Sequence, residues 1–280
     1  MIQEHNSKIY IPLIGLGTYS QFNETLNHSI TTAISNGVLL IDTAYKYQNE
    51  RDIANVIKGV PRNQLFIQSK VCARQLLGRL SRFRLDKQSI RKAYHTSCRN
   101  LGVKYLDSYL IHSYFCGAEK HYNKLMYLRN NGLVPIIGFC NVNIDQIKSI
   151  YNACGEYPMT IQVEIHPYHS QKQLIEFCNE HNIKVQARSP FAHGDVLNEW
   201  KEHDTIKKIA IEHGKSVPQI ILRWLTQQGV TPIFRSRREE HIVANANIFT
   251  FELTQNQMHT IDSLNKNLSF GYISNKANRI

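Results

Sequence analysis

The chain has 280 residues, 42% of them hydrophobic and 20% charged, which excludes a long disordered region and fits one globular α/β barrel. Its formal net charge of +11 suits an anionic partner, because summed positive potential draws phosphates over long range. The basic residues are scattered and no recognition module or zinc finger gathers them, so nucleic acid is not the expected partner and a phosphate-bearing cofactor or substrate serves equally well.

No apolar run approaches the roughly 20 residues that span a bilayer, and positions 1–7 are polar rather than charged then apolar. No membrane association and a cytoplasmic location are expected. Six cysteines, Cys72, Cys98, Cys116, Cys140, Cys154 and Cys178, are widely spaced with no Cys-x-x-Cys pair, so reduced thiols and no metal site are expected.

Short β-type runs alternate with longer amphipathic segments from one end to the other. The run at 11–14 precedes a helical segment at 24–36, and the run at 39–42 precedes 49–57. Runs at 65–70, 108–111 and 136–139 lead into helices at 87–101, 121–131 and 144–152. The last three, at 160–164, 184–187 and 231–234, are followed by 173–181, one long stretch from 205 to 227, and 239–246, with an extra helix at 255–264. Gly37, Gly132 and Gly229 each follow a helical run, where a left-handed cap favours glycine. Eight βα units close most naturally as an α/β (β/α)8 TIM barrel, and no linker or low-complexity segment divides it, so a single domain over 1–280 is expected.

Active sites of such barrels form at the C-terminal ends of the strands. Four groups stand there: Asp42 and Tyr47 after the second run, Lys70 closing the third, and His112 past the fourth. Each alone is more often structural; four on successive strand ends point to chemistry. A tyrosine is a weak acid, with a reference pKa of about 10, and a nearby ammonium would move it toward working range. Lys70 would supply that ammonium, Asp42 would hold Lys70 charged, and a neutral His112 would orient a substrate carbonyl for protonation by Tyr47.

These segments resemble the aldo-keto reductase family. Gly37-Val-Leu-Leu-Ile-Asp-Thr-Ala-Tyr-Lys-Tyr-Gln-Asn-Glu50 is similar to its first signature, Phe66-Ile-Gln-Ser-Lys-Val71 to the segment carrying its lysine, and Leu106-Asp-Ser-Tyr-Leu-Ile-His112 to the one ending in its histidine. Gly132-Leu-Val-Pro-Ile-Ile-Gly-Phe-Cys-Asn141, Gln162-Val-Glu-Ile-His-Pro-Tyr168, Ser189-Pro190 and Leu222-Arg-Trp224 follow in the family's order, so the likeness covers nearly the whole chain. It implies carbonyl reduction by hydride from NADPH, with the cofactor, NADP(H), held across the barrel mouth. Gly15-Leu-Gly-Thr-Tyr-Ser20 lacks the third glycine of a Rossmann fingerprint, and that reading is rejected.

By the same resemblance, Gly17 and Thr18 lie beside the cofactor, and Asp42 counts with the cofactor contacts as well as the catalytic group. Asn141 and Gln162 bind the nicotinamide carboxamide, and Arg188 and Ser189 border the ring. Arg235 and Ser236 stand where a Lys-Ser pair grips the 2′-phosphate. An arginine there preserves the preference for NADP, since guanidinium binds phosphate through two oriented hydrogen bonds. His241 and Asn245 occupy positions on the adenine side.

Several positions depart from the pattern. Arg188 replaces an aromatic residue that stacks on the nicotinamide; a free cation there would weaken the oxidised cofactor, whereas an arginine reaching a phosphate or salt-bridged inside the barrel would not. Cys140 replaces a serine, His241 a second phosphate-binding arginine, and Ala244 an acidic residue, which suggests altered cofactor affinity. The connection from Ser113 to Lys124 is short, so the pocket should be open, with Tyr114 and Phe115 as candidate lining. Arg74, Arg79, Arg82 and Arg84 crowd the segment after Lys70 and favour a small carbonyl substrate that is anionic or borne on an anionic carrier, against the plainer reading of a solvated face. The competing function is a cofactor-binding regulatory or scaffold protein on the same barrel. Substrate identity and oligomeric state are not legible in the chain.

Overall fold

A computed structural model describes residues 10–72, 76, 87–192 and 194–271. The crowded arginines Arg74, Arg79, Arg82 and Arg84 lie outside the described residues. Eight strands close into a barrel in sequential order, every neighbour parallel and β1 pairing β8. They are β1 Gly15–Gly17, β2 Leu40–Asp42, β3 Phe66–Val71, β4 Ser108–Ile111, β5 Ile136–Cys140, β6 Thr160–Glu164, β7 Lys184–Arg188 and β8 Thr231–Phe234.

Eleven α-helices surround them among the described residues: α1 Asn23–Ser35, α2 Glu50–Ile57, α3 Lys87–Leu101, α4 Ala118–Asn130, α5 Ile144–Cys154, α6 Lys172–Glu180, α7 Gly194–Glu202, α8 Asp204–His213, α9 Val217–Gln227, α10 Glu239–Ala246 and α11 Gln255–Asp262. No helix among the described residues is long and apolar enough to cross a membrane. All six cysteines are free.

Two expectations change. The first strand is Gly15–Gly17, not 11–14. Ile11 instead joins Leu40, Phe66, Ile136 and Ile233 in an apolar cluster. The strand position itself demands glycine, because a Cβ on Gly15 would strike the Leu40 and Ile233 side chains. Apolar content therefore misplaced the strand. The long stretch at 205–227 is two helices: Gly214, at φ +60°, ends α8, and Ser216 starts α9 with a capping box to Gln219 and a proline in the first turn. Helix α7, unforeseen, seals its flank with Trp200, which is fully buried.

The pleat sorts residues between lumen and helices. Ile41, Ile67 and Val71 join the large cluster shared with the helices, whereas Leu40 and Phe66 belong to the smaller one. Ser69, next to Lys70 along β3, accordingly reaches outward and donates to Glu50 of α2 at 2.7 Å. Asp42, Gln68 and Lys70 thus share the inner face with Leu40 and Phe66, stacked above the apolar floor at the C-terminal end.

Candidate active site

Lys70 is fully buried and its Nζ donates to both carboxylate oxygens of Asp42, at 2.6 and 2.7 Å, and to the carbonyl of Thr43 at 2.9 Å. Burial alone would lower the pKa of this amine, but the charge and hydrogen bond of Asp42, helped by Tyr47 and Cys140, together outweigh it and hold Lys70 protonated. Tyr47 ends a single 3-10 turn, Tyr45–Tyr47, directly after β2. Its ring centroid lies 5.3 Å from the Lys70 ammonium and 5.5 Å from the His112 ring, so the phenol, the ammonium and the imidazole form one cluster.

That turn is anchored by Asn49, whose buried amide donates to the carbonyls of Thr18 and Gln21 at 2.7 and 3.0 Å and accepts from Thr43 Oγ1 at 3.1 Å. Asn49 was not singled out in the sequence. Its place two residues after a turn that must be held still is the only signal.

The ionisation states follow from burial. The His112 imidazole is held down at about 3 by burial, reinforced by the charges of Lys70, Lys46 and Arg188, so it is neutral at physiological pH. Burial pushes the Tyr47 phenol up to about 12, against the pull of Lys70. The expected fall of the Tyr47 pKa toward neutrality is therefore absent: one ammonium already neutralised by Asp42 does not offset the loss of water around the phenol.

Beneath the cluster lies a polar lumen that the motifs did not reveal. Gln68 donates to Asp42 Oδ1 at 2.7 Å and exchanges two amide hydrogen bonds with Gln186 at 2.7 and 2.9 Å, while Gln162 donates to both Asp42 Oδ1 and Gln186 Oε1. Satisfied buried amides of this kind fix one arrangement, because any rotation strands a donor without water. The available signal was glutamine at inward positions of three strands.

A cavity of about 450 Å³ opens at this end of the barrel. Gly17, Asp42, Tyr47, His112, Asn141, Gln162, Arg188, Ser189 and Arg235 all line it, together with Tyr19, Lys46, Glu164, Phe270 and Gly271. Lys70 sits just beneath, out of solvent. Thr18 is buried with its hydroxyl on the Asp42 carbonyl, outside the lining. Ser236 presents its carbonyl to Gln21 and Ser29 rather than its side chain to the cavity, and His241 and Asn245 lie on α10, the first exposed and the second buried, neither lining it. Tyr114 and Phe115 pack against the core instead of the cavity.

Arg188 is salt-bridged inside the barrel: its Nη2 lies 3.1 Å from Glu164 Oε2, and its Nε donates to Asn141 Oδ1 at 2.6 Å. Arg235 donates to the Tyr19 carbonyl at 2.8 Å and Arg237 to that of Ser20 at 3.1 Å, drawing the loop after β8 against the loop after β1. Among the described residues no group of three or more His, Cys, Asp or Glu side chains could hold a metal ion.

Residues 13–266 match the model of the aldo/keto reductase family. The chain belongs to that family. This aldo/keto reductase is 37% identical over 275 residues to an uncharacterized oxidoreductase of Bacillus subtilis, covering 95% of this chain and 93% of the relative. It is 36% identical to a glyoxal reductase of the same organism over 276 residues, 96% of this chain and 94% of the other. Among solved structures, a Bombyx mori aldo-keto reductase in complex with NADP superposes with a TM-score of 0.86 at 27% identity, covering 96% of this chain and 94% of that one. An oxidoreductase acting on carbonyl groups is what the family and the barrel together establish.

Proposed function

We propose that this aldo/keto reductase reduces a small aldehyde or ketone to an alcohol with hydride from NADPH, Tyr47 donating the proton. The observation that carries the reading is the convergence of a protonated phenol, a buried ammonium–carboxylate pair and a neutral imidazole on one open cavity.

The residues present suit the cofactor. Among the described residues the hydrogen-bond partner of Gln162 Oε1 is the weak Cys140 thiol, 3.9 Å away, so a strong acceptor is left for a carboxamide N–H. Asn141, at the end of the adjacent strand, stands as its partner, with Gly17 and Ser189 along the wall. Arg235, on the cavity rim beside Tyr19, supplies the cation for a 2′-phosphate, with Ser236, His241 and Asn245 toward the adenosine end. Bound there, the dihydronicotinamide supplies the hydride.

The chain's own groups do the rest. Neutral His112 donates one ring N–H to the carbonyl oxygen and orients it toward Tyr47 without adding charge. As negative charge grows on that oxygen, Tyr47 transfers its proton, and Lys70, held by Asp42, stabilises the phenolate left behind. Lys46 on the cavity wall favours an anionic carbonyl compound, while a relative named a glyoxal reductase makes small neutral 2-oxo aldehydes the other class to try. Free thiols throughout suit a reducing, cytoplasmic setting.

Fluorescence titration with NADPH, followed by absorbance assays on a panel of neutral and acidic aldehydes, tests the reading. Tight NADPH binding with turnover supports it. Binding without turnover of any carbonyl would favour a regulatory protein on the same barrel, and absence of binding would end the reading.

A further inference from the structure

We infer that Arg188 is a positioning residue for Asn141, the proposed carboxamide partner, and that residues 269–271 lock Arg188 in place through Glu164; this rests on the NADPH reading. Asn141 sits at φ +55°, a left-handed conformation for a residue with a side chain, and its N–H is tied to the Gln162 carbonyl at 2.9 Å. Its side-chain amide is constrained at both ends. The Nδ2 donates to the His112 carbonyl at 3.0 Å, and the Oδ1 accepts from Arg188 Nε at 2.6 Å.

A backbone carbonyl can only accept and a guanidinium can only donate, so each contact independently dictates the same orientation of the amide. After both bonds, Asn141 retains one N–H and one lone pair. That is the complement of a carboxamide. An aromatic side chain at position 188 could not impose this orientation.

Arg188 is held in turn by a carboxylate almost closed to solvent. The Glu164 side chain is 3% exposed and accepts from Arg188 at 3.1 Å, His166 Nε2 at 3.0 Å, Ser269 Oγ at 2.9 Å and the Phe270 N–H at 2.7 Å. Burial would raise the Glu164 pKa, but His166, Arg188, Phe270 and Ser269 together hold it down at about 2, so the anchor stays anionic at physiological pH. Gly271 completes the lock: a Cβ there would collide with Arg188 Nη2 and Glu164 Oε2. The charge of Arg188 is thereby spent on Glu164, and the residue acts through geometry.

The test compares dissociation constants for NADPH, for its reduced 3-acetylpyridine analogue, which lacks the amide N–H2, and for 2′-phospho-ADP-ribose, which lacks the ring. In the parent, NADPH should bind about tenfold more tightly than the acetyl analogue, the scale of one or two hydrogen bonds. Arg188→Met should shrink that ratio to about twofold while 2′-phospho-ADP-ribose binding stays unchanged, and Arg188→Lys, which lacks Nε, should not rescue it. Because Arg188→Met leaves Glu164 without its cation, the double variant Arg188→Met/Glu164→Gln is measured beside it and should shrink the ratio as far, and the distal variants Ser269→Ala and Gly271→Ala should each shrink it in part. An undiminished ratio in Arg188→Met and Gly271→Ala, or an equal loss of affinity for all three ligands, overturns the inference while leaving the NADPH reading intact. A parent that binds 2′-phospho-ADP-ribose and NADPH equally weakly overturns the NADPH reading itself.

Discussion

The ammonium of Lys70 lies 2.6 and 2.7 Å from the two carboxylate oxygens of Asp42, with both side chains inside the barrel. Neither charge has water to fall back on. Lys70→Met should therefore destabilise the protein by about 3–5 kcal/mol, the usual cost of stranding one member of a buried pair. Urea denaturation should also show that Lys70→Met/Asp42→Leu recovers much of the loss. A single variant as stable as the parent would show that the pair is not buried as described.

Tyr47→Phe removes the proton donor and little else, since the ring contacts to His112 and Tyr19 survive. Turnover should fall by about 10²–10⁴-fold, the usual contribution of a positioned acid. The dissociation constant for NADPH should stay within about twofold of the parent value, because no hydrogen bond to the nicotinamide is asked of this phenol. Steady-state rates on the best aldehyde and fluorescence titration separate the two outcomes.

The pH profile follows from burial. With His112 at about 3 and Tyr47 at about 12, neither group changes protonation between pH 5 and 9. The rate of reduction should be free of a transition near pH 6.5, the ordinary value for histidine; such a step, absent from His112→Gln, would show that the imidazole titrates.

The same shift makes a statement about stability. His112 has its folded pKa below the unfolded value, so the unfolded chain takes up the proton first and stability falls as pH drops from 6.5 toward 3. Glu164 acts over a lower window: its contribution is full above pH 4.5 and disappears as pH falls toward 2. Denaturation midpoints of His112→Gln should accordingly decline less steeply than the parent between pH 6.5 and 5, where Glu164 contributes no slope.

Arg235→Ala should raise the NADPH dissociation constant by about 10–100-fold, the scale of charge-assisted hydrogen bonds to phosphate, and leave NADH binding nearly unchanged. Arg237, unlike Arg235, is not part of the cavity lining, so its alanine variant should have the smaller effect. Equal losses for both cofactors would remove Arg235 from the 2′-phosphate.

What the linear chain decides by itself is periodic or local. Short β-type runs between longer amphipathic segments marked β2 to β8, glycines marked helix ends, and the short motifs around Asp42, Lys70 and His112 marked the barrel mouth, because each depends on residues only a few positions apart. Where a neighbour in space sets the rule, the sequence is silent. The first strand lies at Gly15–Gly17 because that is where the chain pairs with both β2 and β8 as the barrel closes, with the Leu40 and Ile233 side chains packed over Gly15, and Tyr47 keeps its proton because the closed barrel strips water from it more effectively than a neutralised Lys70 can compensate. The sequence left Arg188 open between a free cation beside a cofactor and a salt bridge inside the barrel; only the fold decides it, by setting Glu164 beside it on the adjacent strand and bringing Ser269 and Phe270, about a hundred residues further along, onto that carboxylate. Contacts of that span are made by closure of the sheet, and only the folded chain contains them.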